Sequence, residues 1–135
     1  MERKKKVVDA SVIVKLFTNE ESSDRAVQLR EAHISGEICI VISELTFLEV
    51  LNALRFKGGS AEKLVIVSKE LRDLQFHVEK LADFVLEKTI AIALEYDVTI
   101  YDASYAAVAQ IYGAQIVTAD KKMARIPNVV MIDRM

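Results

Sequence analysis

Four acidic residues carry the chemistry open to this sequence: Asp9, Glu49, Asp102 and Asp120. Asp9 follows the β-branched pair Val7-Val8, Asp120 lies just past Ile116-Val117-Thr118, and Asp102 stands at the start of an alanine-rich apolar stretch. Glu49 has the most telling setting, inside Leu45-Thr46-Phe47-Leu48-Glu49-Val50-Leu51-Asn52-Ala53-Leu54, where almost every neighbour is apolar. Helical spacing places Thr46, Glu49, Asn52 and Ala53 on one stripe. A carboxylate among hydrophobic turns is costly to bury unless it is paired or binds a cation. Several carboxylates converging without a nearby His or Cys raise one another's pKa unless a positive ion is present. Such an all-oxygen set suits Mg²⁺ or Mn²⁺ better than zinc. Those ions activate water against phosphorus and stabilise the entering and leaving oxygens, so the reaction class is phosphodiester hydrolysis. Taken singly, each Asp also reads as a helix cap or turn residue. The acidic site therefore depends on a fold that gathers all four.

Other polar residues divide between support and surface. Ser11 and Thr118 could cap helices or hydrogen-bond the acidic ligands and water, and Asn52 shares the stripe of Glu49. Arg55, Lys121 and Lys122, with Lys57 and Arg125, could hold a phosphate backbone or simply solvate the surface. His33 and His77 are expected to be structural or exposed, Cys39 a small core residue, and Tyr96, Tyr101, Tyr105 and Tyr112 packing residues.

The elements that must position the acids follow from periodicity. Lys6–Asp9 reads as the first strand, after a solvated basic leader, and Ala10–Leu16 as a buried helix start. Thr18-Asn19-Glu20-Glu21 has the form of a capping box launching a helix to about His33. Ile38–Ile42 is a continuous apolar strand, Glu44–Lys57 a helix ended by Gly58-Gly59, and Ser60 the cap of the next helix. A strand at Phe76–Val78, a helix from about Leu81 to Tyr96, and an irregular Val98–Ile100 come next. Asp102 is expected to cap a helix ended by Gly113. Ile116–Thr118, a short basic helix near Lys121–Arg125, and Val129–Met131 complete the alternation. Wholly apolar strands alternating with helices predict an α/β fold whose parallel sheet carries helices on both faces, with ligands beyond the carboxyl ends of the strands.

Composition narrows the classes. With 18 basic and 20 acidic side chains the formal charge is −2, so no overall positive field gathers nucleic acid and any such binding is local. The single cysteine excludes an internal disulfide framework and a Cys/His zinc arrangement, which predicts a reducing, cytoplasmic setting. No segment is apolar for the ~20 residues of a membrane span.

Four segments in order, Val7-Val8-Asp9-Ala10-Ser11, Leu48-Glu49-Val50-Leu51-Asn52-Ala53-Leu54, Tyr101-Asp102-Ala103-Ser104-Tyr105, and Val117-Thr118-Ala119-Asp120-Lys121-Lys122, resemble the PIN domain, specifically the VapC-type toxin ribonucleases. The resemblance spans nearly the whole chain and implies a single PIN domain over 1–135: a three-layer α/β/α sandwich with a central, mainly parallel sheet of four or five strands. It implies a Mg²⁺- or Mn²⁺-dependent endoribonuclease acting on RNA, the toxin of a type II toxin–antitoxin pair, usually a homodimer silenced by a VapB-type antitoxin. Asp9, Glu49, Asp102 and Asp120 carry over as the acidic metal site, with Ser11 and Thr118 in support. One departure concerns the turn: many relatives place a proline shortly before the glutamate helix, where this chain reads Val41-Ile42-Ser43-Glu44-Leu45. The Glu-x-x-Asn-Ala-Leu context selects Glu49 over Glu44. Two other readings stand beside this one. Phosphoryl transfer through an aspartyl phosphate at Asp9 wants a second acid where Ser11 stands, and a catalytically silent PIN-like module would bind RNA or protein without cutting.

Overall fold

Short β-branched runs build the sheet, and their alternation decides what each face holds. The computed structural model describes residues 3–135. The first two residues of the basic leader lie outside them. Strands β1 (Lys4–Val8), β2 (Ile38–Ser43), β3 (His77–Glu79), β4 (Gln115–Thr118) and β5 (Val129–Met131) form one sheet in the order β3-β2-β1-β4-β5. Every pairing is parallel, with Val7 opposite both Val41 and Ile116, and Val8 opposite Val117.

Successive side chains of a strand point to opposite faces, so a strand covered on both sides must be apolar at every position. Val8, Ile40, Ile42 and Val117 enter one core beneath α1 (Ala10–Ile13), α2 (Ser23–Ile34), α3 (Glu44–Phe56) and α4 (Ala61–Asp73). Val7, Val41 and Ile116 enter the other, beneath α5 (Asp83–Tyr96) and α6 (Ile100–Tyr112). Each such buried side chain contributes about 1.5–3 kcal/mol of transfer free energy. The small residues Ala103, Ala106, Ala107 and Ala109 bring α6 close to the sheet. Gly113 ends it at φ +59°, a left-handed conformation that leaves no Cβ to strain. The three-layer α/β/α arrangement with a parallel sheet is the one expected.

Several local expectations fail for identifiable reasons. The leader is not merely solvated: Lys4–Lys6 belong to β1, with Lys5 and Lys6 half-buried. Only Ala10–Ile13 is α-helical, and Val14–Leu16 tightens into a 3-10 turn. Thr18 caps no helix. The nearly buried Lys15 amine takes the Glu20 carboxylate at 3.0 Å, the Thr18 hydroxyl donates to the same carboxylate at 2.8 Å, and α2 starts only at Ser23. Asp102 is not a cap either. Thr99 is, its hydroxyl accepting the Asp102 amide at 3.0 Å, so the Asp102 carboxylate is not committed to capping. Ser60 does cap α4. His33 is buried and structural: its Nδ1 accepts the Ile40 amide at 3.0 Å, which leaves Nε2–H to donate to the Leu74 carbonyl at 2.9 Å. Cys39 is only half-buried on β2.

Candidate functional site

The crossovers from β1 to β2 and from β2 to β3 lie on one face, and the crossover from β3 to β4 lies on the other. The winding reverses between β1 and β4, and in such a sheet the crevice beyond the carboxyl ends opens at that reversal. Asp9 follows β1 there, and Asp120 follows β4 by two residues. Thr46 and Glu49 come from the first two turns of α3, which leaves β2 directly, and Asp102 from the first turn of α6.

Asp9 is 5% exposed and makes no side-chain cap bond, although it sits at the N-cap of α1. Its Oδ1 accepts the Ser11 hydroxyl at 2.5 Å and its Oδ2 the Thr118 hydroxyl at 2.5 Å. Both hydroxyls are supported from behind. Ser11 Oγ accepts the Ala119 amide at 2.9 Å and Thr118 Oγ1 the Asp120 amide at 3.0 Å, so each has its proton available for Asp9. Burial still pushes the Asp9 carboxyl up to about 6 against the pull of these hydrogen bonds, and the charge of Asp102 adds to the rise.

Glu49 is half-buried. Its Oε1 accepts the Tyr105 hydroxyl at 2.5 Å. Thr46 Oγ1 accepts the Ser43 amide at 3.1 Å and lies 3.1 Å from the Tyr105 oxygen, to which its proton is then donated. A relay of donors thus runs from the head of α3 through Thr46 and Tyr105 to Glu49. Burial raises the Glu49 pKa first and Asp102 raises it further. Tyr105 is held well above the ordinary phenol range by burial and by the charge of Glu49.

Asp102 links the four acids. Burial and the charge of Asp120 raise its pKa, with Thr99 and Lys122 pulling it back, while its own charge acts on Asp9 and Glu49. Asp120 Oδ1 accepts the Lys122 amide at 3.0 Å and so opens the 3-10 turn Lys121–Arg125. Among the described residues, ion pairs join Lys15 and Lys57 to Glu20, Arg30 to Glu31, His77 to Glu79 and Arg125 to Asp97. None includes any of the four acids. Nor do three of them close into a ready ligand cage among the described residues. Magnesium does not need such a cage: it keeps several waters and takes one or two carboxylates. Half-buried oxygens that raise one another's pKa, without a cationic side chain bonded to them, fit a hard divalent ion.

The remaining expected residues separate. Asn52 is exposed one turn beyond Glu49 and shares with it an open groove of about 470 Å³ that Leu48 and Tyr101 complete. Lys122 is near enough for its charge to lower the Asp102 pKa, without pairing with it. Lys121 lines a different cavity, with Lys15, Ala119 and Ile132. Arg55 lies six residues past Glu49, about 120° around the helix, with its guanidinium 5.3 Å from the ring of Phe56. The structure does not bring Arg55 to the acids. Sequence reasoning took Tyr105 and Tyr101 for packing residues. The signal for Tyr105 was there, because three residues after Asp102 on a helix is the same face.

These features define a doubly wound α/β domain with four acidic side chains at the reversal of its sheet, none of them in an ion pair among the described residues. The chain belongs to the PIN domain family, whose model matches residues 6–129. It is 30% identical over 124 residues to Ribonuclease VapC3 of Pyrobaculum aerophilum, covering 89% of this chain and 92% of that one. A toxin-antitoxin complex from Klebsiella pneumoniae contains a chain with the same fold, at TM-score 0.74 and 22% identity over 96% of this chain and 98% of that one. So does VapBC2 from Rickettsia felis bound to a fragment of its promoter DNA, at TM-score 0.70 and 14% identity over 94% and 96%.

Proposed function

We propose that this protein is a divalent-metal-dependent endoribonuclease, the toxin of a type II toxin–antitoxin pair working in the cytoplasm. The observation that carries the reading is the group of four carboxylates, Asp9, Glu49, Asp102 and Asp120, coupled through Asp102 at the reversal of the sheet and lacking any ion-pair partner among the described residues. Its family and its likeness to Ribonuclease VapC3 support the nuclease class.

Asp9, Glu49, Asp102 and Asp120 would hold Mg²⁺ or Mn²⁺, which would supply Lewis-acid stabilisation of the phosphoryl oxygens and activate the attacking water. Around it, Ser11 and Thr118 fix the orientation of Asp9, and their backbone donors fix them. Lys122 sets a positive charge beside Asp102 where an RNA phosphate would lie, and Asn52 lies in the groove beside Glu49 where a nucleotide can enter. Binding is local, as the overall charge of −2 requires.

Two surfaces suit the partners such a toxin has. Leu86, Ile90 and Leu94 form an exposed apolar stripe along α5, spaced for packing against a second copy. Val65 and Ile66 leave α4 an exposed apolar patch for a VapB-type antitoxin segment. No helix among the described residues is long and apolar enough to cross a membrane.

The test is a panel of single-stranded RNAs incubated with Mn²⁺, Mg²⁺ or EDTA, using protein whose mass by light scattering is that of two chains. Internal cleavage with either ion and none with EDTA is expected. Binding without cleavage under every condition would instead favour a catalytically silent module.

A further inference from the structure

Glu49 reaches the crevice from a helix flank, and a glutamate has three rotatable bonds to lose when it is fixed. The Tyr105 hydroxyl donates to one of its oxygens at 2.5 Å, Thr46 stands behind that hydroxyl at 3.1 Å, and the Ser43 amide stands behind Thr46 at 3.1 Å. The relay begins at the capping box that opens α3 and passes through a tyrosine that is 2% exposed. It ends on a carboxylate oxygen, with no cation bonded to the same group.

We propose that Tyr105 is a positioning residue for the divalent ion, acting through Glu49. It occupies one carboxylate oxygen with a neutral donor, which leaves the group its net negative charge and its other oxygen free to bind the ion. A lysine or arginine in its place would hold Glu49 as firmly but cancel the charge the ion needs. A phenylalanine would keep the packing and lose the hold. Thr46 belongs to the same device, since its proton fixes which way the tyrosine donates.

This rests on the metal-binding reading of the site, and its test separates the two. Mn²⁺ is titrated calorimetrically at neutral pH into the full chain, stripped of metal, for the unaltered protein, Tyr105→Phe, Glu49→Gln and the double variant. Tyr105→Phe is expected to weaken Mn²⁺ binding by about 10-fold, the low end for a group that orients a ligand. In the Glu49→Gln background the same change is expected to shift affinity by less than about twofold, because the coupling has gone. Undiminished Mn²⁺ binding by Tyr105→Phe overturns the proposal, as does equal weakening in both backgrounds, which would mean general loosening. An unaltered chain that binds no Mn²⁺ overturns the metal reading and this inference with it. Should Tyr105→Phe fail to fold, Thr46→Val is read against Thr46→Ser. Weaker binding only in the variant lacking the hydroxyl supports the relay, and equal binding in both overturns it.

Discussion

Two of the three tyrosines of helix α6 stand seven residues apart, and each gives its hydroxyl to a glutamate. Tyr105 donates to Glu49 and Tyr112 to Glu79. Beside Glu79 stands an exposed imidazole: His77 Nε2 lies 3.2 Å from the carboxylate and 2.7 Å from the Tyr112 oxygen, and the Lys5 amine sits 5.5 Å from the Tyr112 ring. Around Glu49 the surroundings are neutral hydroxyls, apolar turns and another carboxylate. The same pair of side chains thus makes one contact beside an exposed histidine and another beside a second carboxylate. What sets the Glu49 contact apart is the neighbouring charge of Asp102.

The widest separation between the two clusters is expected in activity. Asp102→Asn removes the carboxylate that couples the four acids and should lower RNA cleavage in Mn²⁺ on the order of 10²–10³-fold, the equivalent of several kcal/mol of metal-borne stabilisation. Glu79→Gln, which breaks the cluster of Glu79, His77 and Tyr112, should leave the rate within about twofold, as expected for a change remote from the reacting atoms. Comparable losses in both, in single-turnover assays on folded protein, would erase the distinction.

Stability against pH sharpens the same contrast at a smaller scale. Asp9 titrates at about 6 in the folded chain against an ordinary 3.8, chiefly through burial. Below 3.8 both folded and unfolded states hold the proton. Between 3.8 and 6 the unfolded state loses it while the folded state keeps it, so stability falls as pH rises and the loss is complete above 6. At about 1.4 kcal/mol per pH unit the fall is roughly 3 kcal/mol. Urea unfolding of metal-free protein from pH 3.5 to 7.5 measures it. Asp9→Asn should remove this part of the slope, and Mn²⁺, which binds the ionised form, should restore the lost stability near neutrality. An unchanged slope in Asp9→Asn would place the titrating group elsewhere.

Much of this was legible in the sequence because the signals were local. The sheet announced itself in strands apolar at every position, and Glu49 in a charge that its apolar neighbours could not satisfy. Helix starts were less legible, since Thr18 and Asp102 both have cap chemistry but neighbouring side chains take the roles instead. The buried Lys15 claims Glu20, and Thr99 caps three residues ahead of Asp102. Arg55 had the right charge and the wrong helical phase. Tyr105 was legible only in part: its spacing from Asp102 could be read, but its contact with Glu49 is a relation between residues 56 apart in sequence.

The smallest effect returns to the two tyrosines as structural contacts. Removing the Tyr112 hydroxyl frees a glutamate that keeps His77 and water, so Tyr112→Phe should cost no more than about 0.5–1.5 kcal/mol. Removing the Tyr105 hydroxyl leaves the Thr46 proton without its acceptor in a buried setting and Glu49 without its donor, for which about 1–3 kcal/mol is expected. Urea unfolding of both variants at one pH gives the difference directly. As the pH falls into the carboxylate range, where Glu49 takes up protons more readily than an ordinary glutamate, the Tyr105 contact weakens from a charge-assisted bond to a neutral one and the gap between the variants should narrow. A gap that stays constant as the pH falls would show that packing around the ring, rather than the bond to the carboxylate, separates the two.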